Sequence, residues 1–223
     1  MSTYVFSDLH SQYDLWLQIK EYIKPEDTVY CLGDCIDRGD AGLKILFEVL
    51  NAPNIILLCG NHEDFIKNTN ISLWYRNGGD RSIHDFKELS KQERRVLIKR
   101  IRKLPTHIEY TNTRGEVIYL CHAGRQPDTL EIPYEDTYIW DRSHIKEKEW
   151  RGADNEYCVH GHTPVCVLKY FSLEWPEDNT KIYKYCEGHK IDIDLGSFQS
   201  HVACLLNLDT WEEIYFKDRT IKE

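Results

Sequence analysis

Thr3 to Gly39 reads TYVFSDLHSQYDLWLQIKEYIKPEDTVYCLGDCIDRG, and its rhythm decides the fold. Two apolar runs, Tyr4 to Ser7 and Thr28 to Leu32, have the length and residue types of strands, while Ser11 to Ile23 between them spaces its apolar residues as a helix does. A helical pattern over Ala41 to Leu50 and a strand-like run over Asn54 to Cys59 extend this to β-α-β-α-β. Asp8, Asp34 and Asn61 each stand just past one of these strands, 26 and 27 residues apart, about one βα repeat. Parallel pairing therefore aligns all three at the sheet edge where α/β folds bind ligands.

From His62 to Leu104 the pattern is helical, broken at Trp74-Tyr75-Arg76-Asn77-Gly78-Gly79-Asp80, whose glycines mark a turn. A small helical cap over about 62–104 is expected. Its last part, Lys91 to Lys103, carries seven Lys or Arg residues, yet Leu97, Ile101 and Leu104 recur at helical spacing, so it reads as a packed helix with a solvated face. Strand signals resume after Pro105 at His107 to Tyr110 and, past a turn over Asn112 to Gly115, at Glu116 to Cys121. They continue at Glu156 to His160, Val165 to Tyr170, Lys181 to Tyr185, Lys190 to Leu195, Ser200 to Leu208 and Glu212 to Phe216. These predict a second, more antiparallel sheet. Two mixed sheets packed face to face with outer helices make an α/β fold, a four-layer α/β/β/α sandwich. Ser172 to Thr180, with Pro176 and Asn179, reads as a flexible loop.

At 223 residues the chain is long enough for one well-buried core and short for two, so residues 1–223 read as a single domain. Hydrophobic residues make up 41% and charged residues 29%, which excludes wholesale disorder. The longest apolar run, Ile55 to Cys59, cannot span a bilayer, and Met1-Ser2-Thr3 leads straight into a strand; a cytoplasmic protein without membrane contact is expected. None of the eight cysteines sits in a Cys-x-x-Cys pair, and Cys31, Cys59, Cys121, Cys158 and Cys204 lie in strand-like contexts, as reduced core thiols do. A net charge of −9 argues against a dedicated nucleic-acid binder, since phosphate contacts need a basic surface.

Asp8-Leu9-His10 is followed by four more glycine-punctuated clusters: Gly33-Asp34-Cys35-Ile36-Asp37-Arg38-Gly39, Gly60-Asn61-His62-Glu63, His122-Ala123-Gly124 and His160-Gly161-His162-Thr163. Carboxylate, amide and imidazole donors of this kind suit hard or borderline divalent ions. A carboxylate has two oxygens and can bridge two cations, while Asn oxygen and neutral His nitrogen complete each shell without overcharging it. Two such ions clamp a phosphate, polarise its oxygens and lower the pKa of a bridging water.

In this order, Asp-x-His, Gly-Asp-x-x-Asp-Arg-Gly, Gly-Asn-His-Glu, His-Ala-Gly and Gly-His-Thr resemble the calcineurin-like metallophosphoesterases. They are most similar to the phosphoprotein phosphatase branch, particularly its small bacterial and phage serine/threonine phosphatases. The resemblance runs from Asp8 to about Gly196 and takes in Trp74 to Gly79 and Ile139-Trp140-Asp141-Arg142. It implies that Asp8 and His10 bind a first metal, that Asp34 bridges, and that Asn61, His122 and His162 bind a second. By the same resemblance Asp37 and His62 form an acid dyad that protonates the leaving group, and Arg38 and Arg142 clamp the phosphate with Asn61 nearby. His160 falls outside the ligand position and reads as a strand-end histidine satisfied by hydrogen bonds. The implied function is hydrolysis of phosphoserine and phosphothreonine in proteins by direct attack of metal-bound hydroxide, with two divalent ions, manganese first and iron or zinc also accepted.

Ser7 and Ser11 stand where the family usually has glycines, and their side chains are expected to narrow the approach to the metals. Cys59 replaces an arginine common in protein phosphatases, and Asp194-Leu195-Gly196 resembles a late Asp-x-Gly segment near the site. A rival reading is a symmetrical dinucleoside tetraphosphatase, for which Trp74, Tyr75 and Trp140 could stack on a base. A non-catalytic metal-binding module is disfavoured by the complete set of ligands, and a nuclease by the net acidity.

Overall fold

The computed structural model describes residues 1–68, 70–125, 135–171 and 176–221. It begins with β1 (Thr3–Phe6), α1 (Tyr13–Tyr22), β2 (Thr28–Cys31), α2 (Gly42–Asn51) and β3 (Ile55–Leu57). Four helices follow, α3 (Asn61–Asn68), α4 (Ile71–Arg76), α5 (Asp80–Glu88) and α6 (Lys91–Ile101). Next come β4 (His107–Thr111), β5 (Val117–Cys121), α7 (Glu135–Trp140), α8 (Ser143–Lys146), β6 (Glu156–His160) and a 3-10 helix (Val165–Phe171). β7 (Tyr183–Tyr185), β8 (Lys190–Asp192), α9 (Ser197–Ser200), β9 (Val202–Asn207) and β10 (Glu213–Lys217) complete the described elements.

The strands form two five-stranded mixed sheets, ordered β10-β9-β1-β2-β3 and β4-β5-β6-β8-β7. β1, β2 and β3 are parallel, as are β5, β6 and β8. The period-2 alternation of strand side chains divides the core. Val5, Tyr30, Leu32 and Leu206 pack inward against Ile118, Leu120, Val159 and Ile191 of the second sheet, while Tyr4, Phe6, Val29 and Cys31 face the helices. Each such fully buried apolar side chain contributes about 1.5–3 kcal/mol relative to exposure.

Helices α3 to α6 pack into the same core as α1 and α2 through Phe65, Trp74, Ile83, Phe86, Leu97 and Ile101. In α6, Ser90 and Glu93 close a capping box at the N-terminus, and Leu97 and Ile101 are its buried residues, so the basic residues lie on the outer side of a packed helix.

Three expectations need correction. Val165 to Tyr170 is not a strand but part of the 3-10 helix: Val165 and Leu168 are its buried positions, three residues apart, which is the period of that helix. β9 and β10 do not extend the second sheet. β9 pairs antiparallel with β1, so each sheet contains two parallel and two antiparallel pairings and the second is no more antiparallel than the first. The loop read over Ser172 to Thr180 lies partly outside the described residues, at 172–175.

Candidate active site

Asp8 lies two residues beyond β1, Asp34 three beyond β2, Asn61 four beyond β3, His122 one beyond β5 and His162 two beyond β6. The parallel strands of both sheets thus deliver these residues from their carboxyl ends to one place. The turns that do so are tight. Gly33 has φ +112°, and a Cβ on it would stand 2.5 Å from Gly60 N, so the second and third loops cross backbone against backbone. Asp8, His10, Asp34, Asp37, Arg38 and His162 all have positive φ, between 42° and 71°. Left-handed backbone at non-glycine residues costs on the order of 1–3 kcal/mol each and persists where the surroundings impose it.

Asp34 is the centre of the cluster. Its Oδ2 lies 3.4 Å from His122 Nε2, 3.6 Å from His10 Nε2 and 3.8 Å from His62 Nε2, and its Oδ1 accepts the His62 N–H at 2.9 Å. Two groups of donor atoms, His10/Asp34/His62 and Asp8/Asp34/His122, each fall within 4.8 Å of one another and share Asp34. Asn61 Oδ1 is 2.9 Å from His122 Nε2 and 2.8 Å from His162 Nδ1. The tautomers follow from the outer partners, because a carbonyl can only accept. His10 Nδ1 donates to Ile36 O at 2.9 Å, His122 Nδ1 to Leu32 O at 3.1 Å and His162 Nε2 to Trp140 O at 3.2 Å. The other nitrogen of each ring then turns a lone pair inward, toward the oxygens of Asp34 and Asn61. Lone pairs converging from three imidazoles, an amide and carboxylates are the donor set of a cation.

The electrostatics agree. Burial and the nearby Asp194 push the Asp8 carboxyl well above its ordinary pKa. Burial would do the same to Asp34, but His122 and His62 outweigh it and hold Asp34 well below. His10 and His162 are depressed by burial and by neighbouring cationic groups. Against its own burial, the Asp34 and Asp8 carboxylates raise His122 to about 9, so at neutral pH its Nε2 carries a proton that a bound cation would displace. Asp8 Oδ1, Asp192 Oδ2 and Asp194 Oδ2 are buried with no hydrogen-bond partner among the described residues. Such uncompensated carboxylate oxygen is costly in a low-dielectric interior and fits bound positive charge.

His62 is in both worlds geometrically, close to Asp34 yet bound elsewhere. Its Nδ1 donates to Asp37 Oδ2 at 2.6 Å, and Asp37 also accepts the Trp74 indole N–H at 2.8 Å on each oxygen. Arg38 Nη2 stands 3.1 Å from His62 Nε2, and guanidinium only donates, so Nε2 accepts here. A carboxylate on Nδ1 and a guanidinium donor on Nε2 set His62 apart from the inward-facing histidines, whose outer partners are backbone carbonyls. Arg142 is half-buried and donates from Nε to Thr163 Oγ1 at 3.1 Å.

A model of the calcineurin-like phosphoesterases matches residues 1–204. The chain belongs to this family. Over 67 residues it is 36% identical to a symmetrical bis(5'-nucleosyl)-tetraphosphatase of Salmonella paratyphi A, covering 28% of this chain and 24% of that protein. The chain thus spans about a quarter of the length of the curated relatives it matches. Among solved structures, a candidate diadenosine tetraphosphatase superposes with TM-score 0.66 at 13% identity over 98% of this chain and 94% of the other. A serine/threonine phosphatase from Saccharomyces cerevisiae similar to human PP5 superposes with TM-score 0.56 at 13% identity, covering 100% and 81%.

Ser7 and Ser11, which stand where the family usually has glycines, turn their hydroxyls to neighbouring loop groups. Both are buried: Ser7 donates its hydroxyl to Asp8 Oδ2 and Ser11 donates to Asp37 O at 2.9 Å. Ser7 and the His162 N–H, at 3.2 Å, both bind Asp8 Oδ2 and leave Oδ1 for the centre. Cys59 is a buried thiol bonded to Gly60 O at 3.5 Å. His160 bonds Tyr185 OH at 2.7 Å through Nε2, and burial with the nearby His144 holds it down at about 3, so it is a neutral core histidine. Trp74 is fully buried and committed to Asp37, so it offers no face to a base; Trp140 packs on Phe65 and donates to Asp64 Oδ2 at 3.2 Å. Tyr75 is exposed.

Two residues that shape this metallophosphoesterase site escaped the sequence reading. Glu63 accepts the N–H groups of Asp34, Cys35 and Gly60 at 2.7, 2.9 and 3.2 Å, which ties two loops together; burial and Asp34 raise its carboxyl to about 7. Its place in Gly-Asn-His-Glu, in the first turn of α3, was the available signal. Phe198 lies under Arg38, two residues beyond Asp194-Leu195-Gly196, and that segment was the available signal.

Proposed function

We propose that this chain is a cytoplasmic, dinuclear-metal-dependent phosphomonoesterase that hydrolyses phosphoserine and phosphothreonine in proteins. Asp8 and His10 would hold one ion, Asn61, His122 and His162 the other, with Asp34 serving both. Manganese is the first choice, and this mixed oxygen and nitrogen set accepts iron or zinc as well. Two ions held there would supply polarisation of the phosphoryl oxygens and an activated water at neutral pH.

The chain's own side chains account for the rest. Arg38 and Arg142 bind the non-bridging oxygens, which the planar guanidinium fork does better than an ammonium. When a phosphate oxygen takes up the Arg38 N–H that faces His62, His62 Nε2 is freed to hold a proton, and Asp37, fixed by Trp74, stabilises the resulting imidazolium through Nδ1. That proton goes to the departing alkoxide of serine or threonine, a poor leaving group without it.

The observation that carries this reading is the 2.6 Å contact between His62 Nδ1 and Asp37 Oδ2. An acid so prepared serves an alkoxide, whereas a nucleoside diphosphate departs without one. A second reading, symmetrical dinucleoside tetraphosphatase, is favoured by the match to the Salmonella protein. The deciding experiment is an assay of the metal-reconstituted protein on phosphoserine peptides and on diadenosine tetraphosphate. Faster turnover of the peptides supports the first reading, and a strong preference for the dinucleotide replaces it with the second.

A further inference from the structure

Phe198 has no polar side-chain atom, yet its ring touches two groups of the site. The Arg38 guanidinium carbon stands 4.6 Å from the ring centre, and the same ring meets His10 edge to face, with centroids 5.7 Å apart at 85°. On the other side, Gly78 closes over Arg38. Gly78 O accepts the Arg38 N–H at 2.9 Å, and a Cβ on Gly78 would lie 3.1 Å from Arg38 Cγ. Arg38 itself has φ +61°. Its side chain is therefore held between a glycine turn and an aromatic face, with Nη2 directed at His62.

A stacked aromatic is a particular kind of support for an arginine. A carboxylate partner would occupy the donor fork and cancel the charge, whereas a ring covers the face of the plane and leaves the N–H groups at its edge free for an anion. The guanidinium is then ordered before the anion arrives, and less freedom is lost on binding. The segment that brings the ring is itself fixed: the Gly196 N–H donates to Asp194 Oδ1 at 2.8 Å, and Gly196, with φ +61°, precedes α9, on which Phe198 sits.

We infer that Phe198 is a positioning residue that presets Arg38 for the oxygens of a phosphate ester. This rests on the reading of Arg38 as a phosphate-binding group. The test uses the metal-reconstituted protein, p-nitrophenyl phosphate as substrate, and calorimetric binding of inorganic phosphate as a readout independent of turnover. Phe198→Leu should raise KM and the phosphate dissociation constant about three- to tenfold, with kcat within about twofold, and Phe198→Tyr should restore both. In an Arg38→Ala background, which is itself weakened, Phe198→Leu should add nothing. Should Phe198→Leu fail to fold, Phe198→Met carries the same expectation. Unchanged phosphate binding in Phe198→Leu, or an equal loss with and without Arg38, overturns the inference alone. Unchanged phosphate binding in Arg38→Ala removes the underlying reading of Arg38 and the inference with it.

Discussion

Glu63 accepts the Asp34 backbone N–H on one carboxylate oxygen at 2.7 Å and the Cys35 N–H on the other at 2.9 Å. It thereby fixes the loop that presents the most connected carboxylate of the site, although it points no atom at the centre itself. In Glu63→Gln one oxygen becomes an amide nitrogen facing a backbone donor, which leaves a buried N–H without an acceptor at about 1–3 kcal/mol. Because outer partners orient the ligands they touch, metal affinity should fall about 10- to 100-fold. Titrating manganese into the metal-free variant measures this. Wild-type affinity in Glu63→Gln would show that the Asp34 loop holds its shape unaided.

Asp37 and His62 are tested through the leaving group. His62→Asn should slow alkyl phosphates on the order of 10²- to 10⁴-fold, the usual contribution of a general acid, and should affect p-nitrophenyl phosphate far less because p-nitrophenolate leaves without a proton. Trp74→Phe removes the indole N–H from both Asp37 oxygens and should shift rates in the same sense by a smaller factor. Equal losses on both substrates would take the acid role away from His62.

Asp8, Asp34 and Asn61 could be placed from sequence because each follows a short apolar strand at a regular interval, and parallel pairing converts that interval into a common edge. The pairing of β9 with β1 was not legible. β9 is buried along its whole length, and a strand buried on both faces carries no alternation to say which sheet it joins. Val165 to Tyr170 misled for a related reason, since a short apolar run does not distinguish a strand from a turn of helix. Glu63 and Phe198 act through groups far away in the chain. Glu63 meets Asp34 and Cys35 across 29 and 28 residues, and such contacts are set by loop crossing, so its motif marks its place but not its partners.

His160 and His162 are two residues apart and offer a sharp contrast. His162 turns Nδ1 to Asn61 while its Nε2 is occupied by Trp140 O; His160 is engaged at both nitrogens, with Tyr185 OH and Gly161 O. His162→Gln should lose metal and activity together, as should His122→Ala. His160→Gln should keep the metal content of the wild type and lose about 1–3 kcal/mol of stability through the unpaired Tyr185 hydroxyl. Metal analysis of the purified variants, with thermal denaturation alongside, separates these outcomes. Metal loss in His160→Gln without loss in His162→Gln would reverse the assignment.

Glu48 gives a pH dependence remote from the site. Its carboxylate accepts from Tyr13 OH at 2.9 Å, Trp16 Nε1 at 3.0 Å and Lys20 Nζ at 2.8 Å. Burial favours the neutral acid, but Lys20, Trp16 and Tyr13 outweigh it and bring the group to about 2, below the ordinary 4.5. A carboxyl more acidic in the folded state binds fewer protons there than in the unfolded chain, so its stabilisation is complete above about 4.5 and disappears as pH falls through about 2. The group is partly open to water, so screening trims the gain, and Glu48→Gln should cost about 1 kcal/mol at neutral pH. Urea melts of the wild type and Glu48→Gln should therefore differ at pH 7 and converge toward pH 2, whereas a gap that stays constant across that range would mean that Glu48 contributes through packing and neutral hydrogen bonds rather than through its charge.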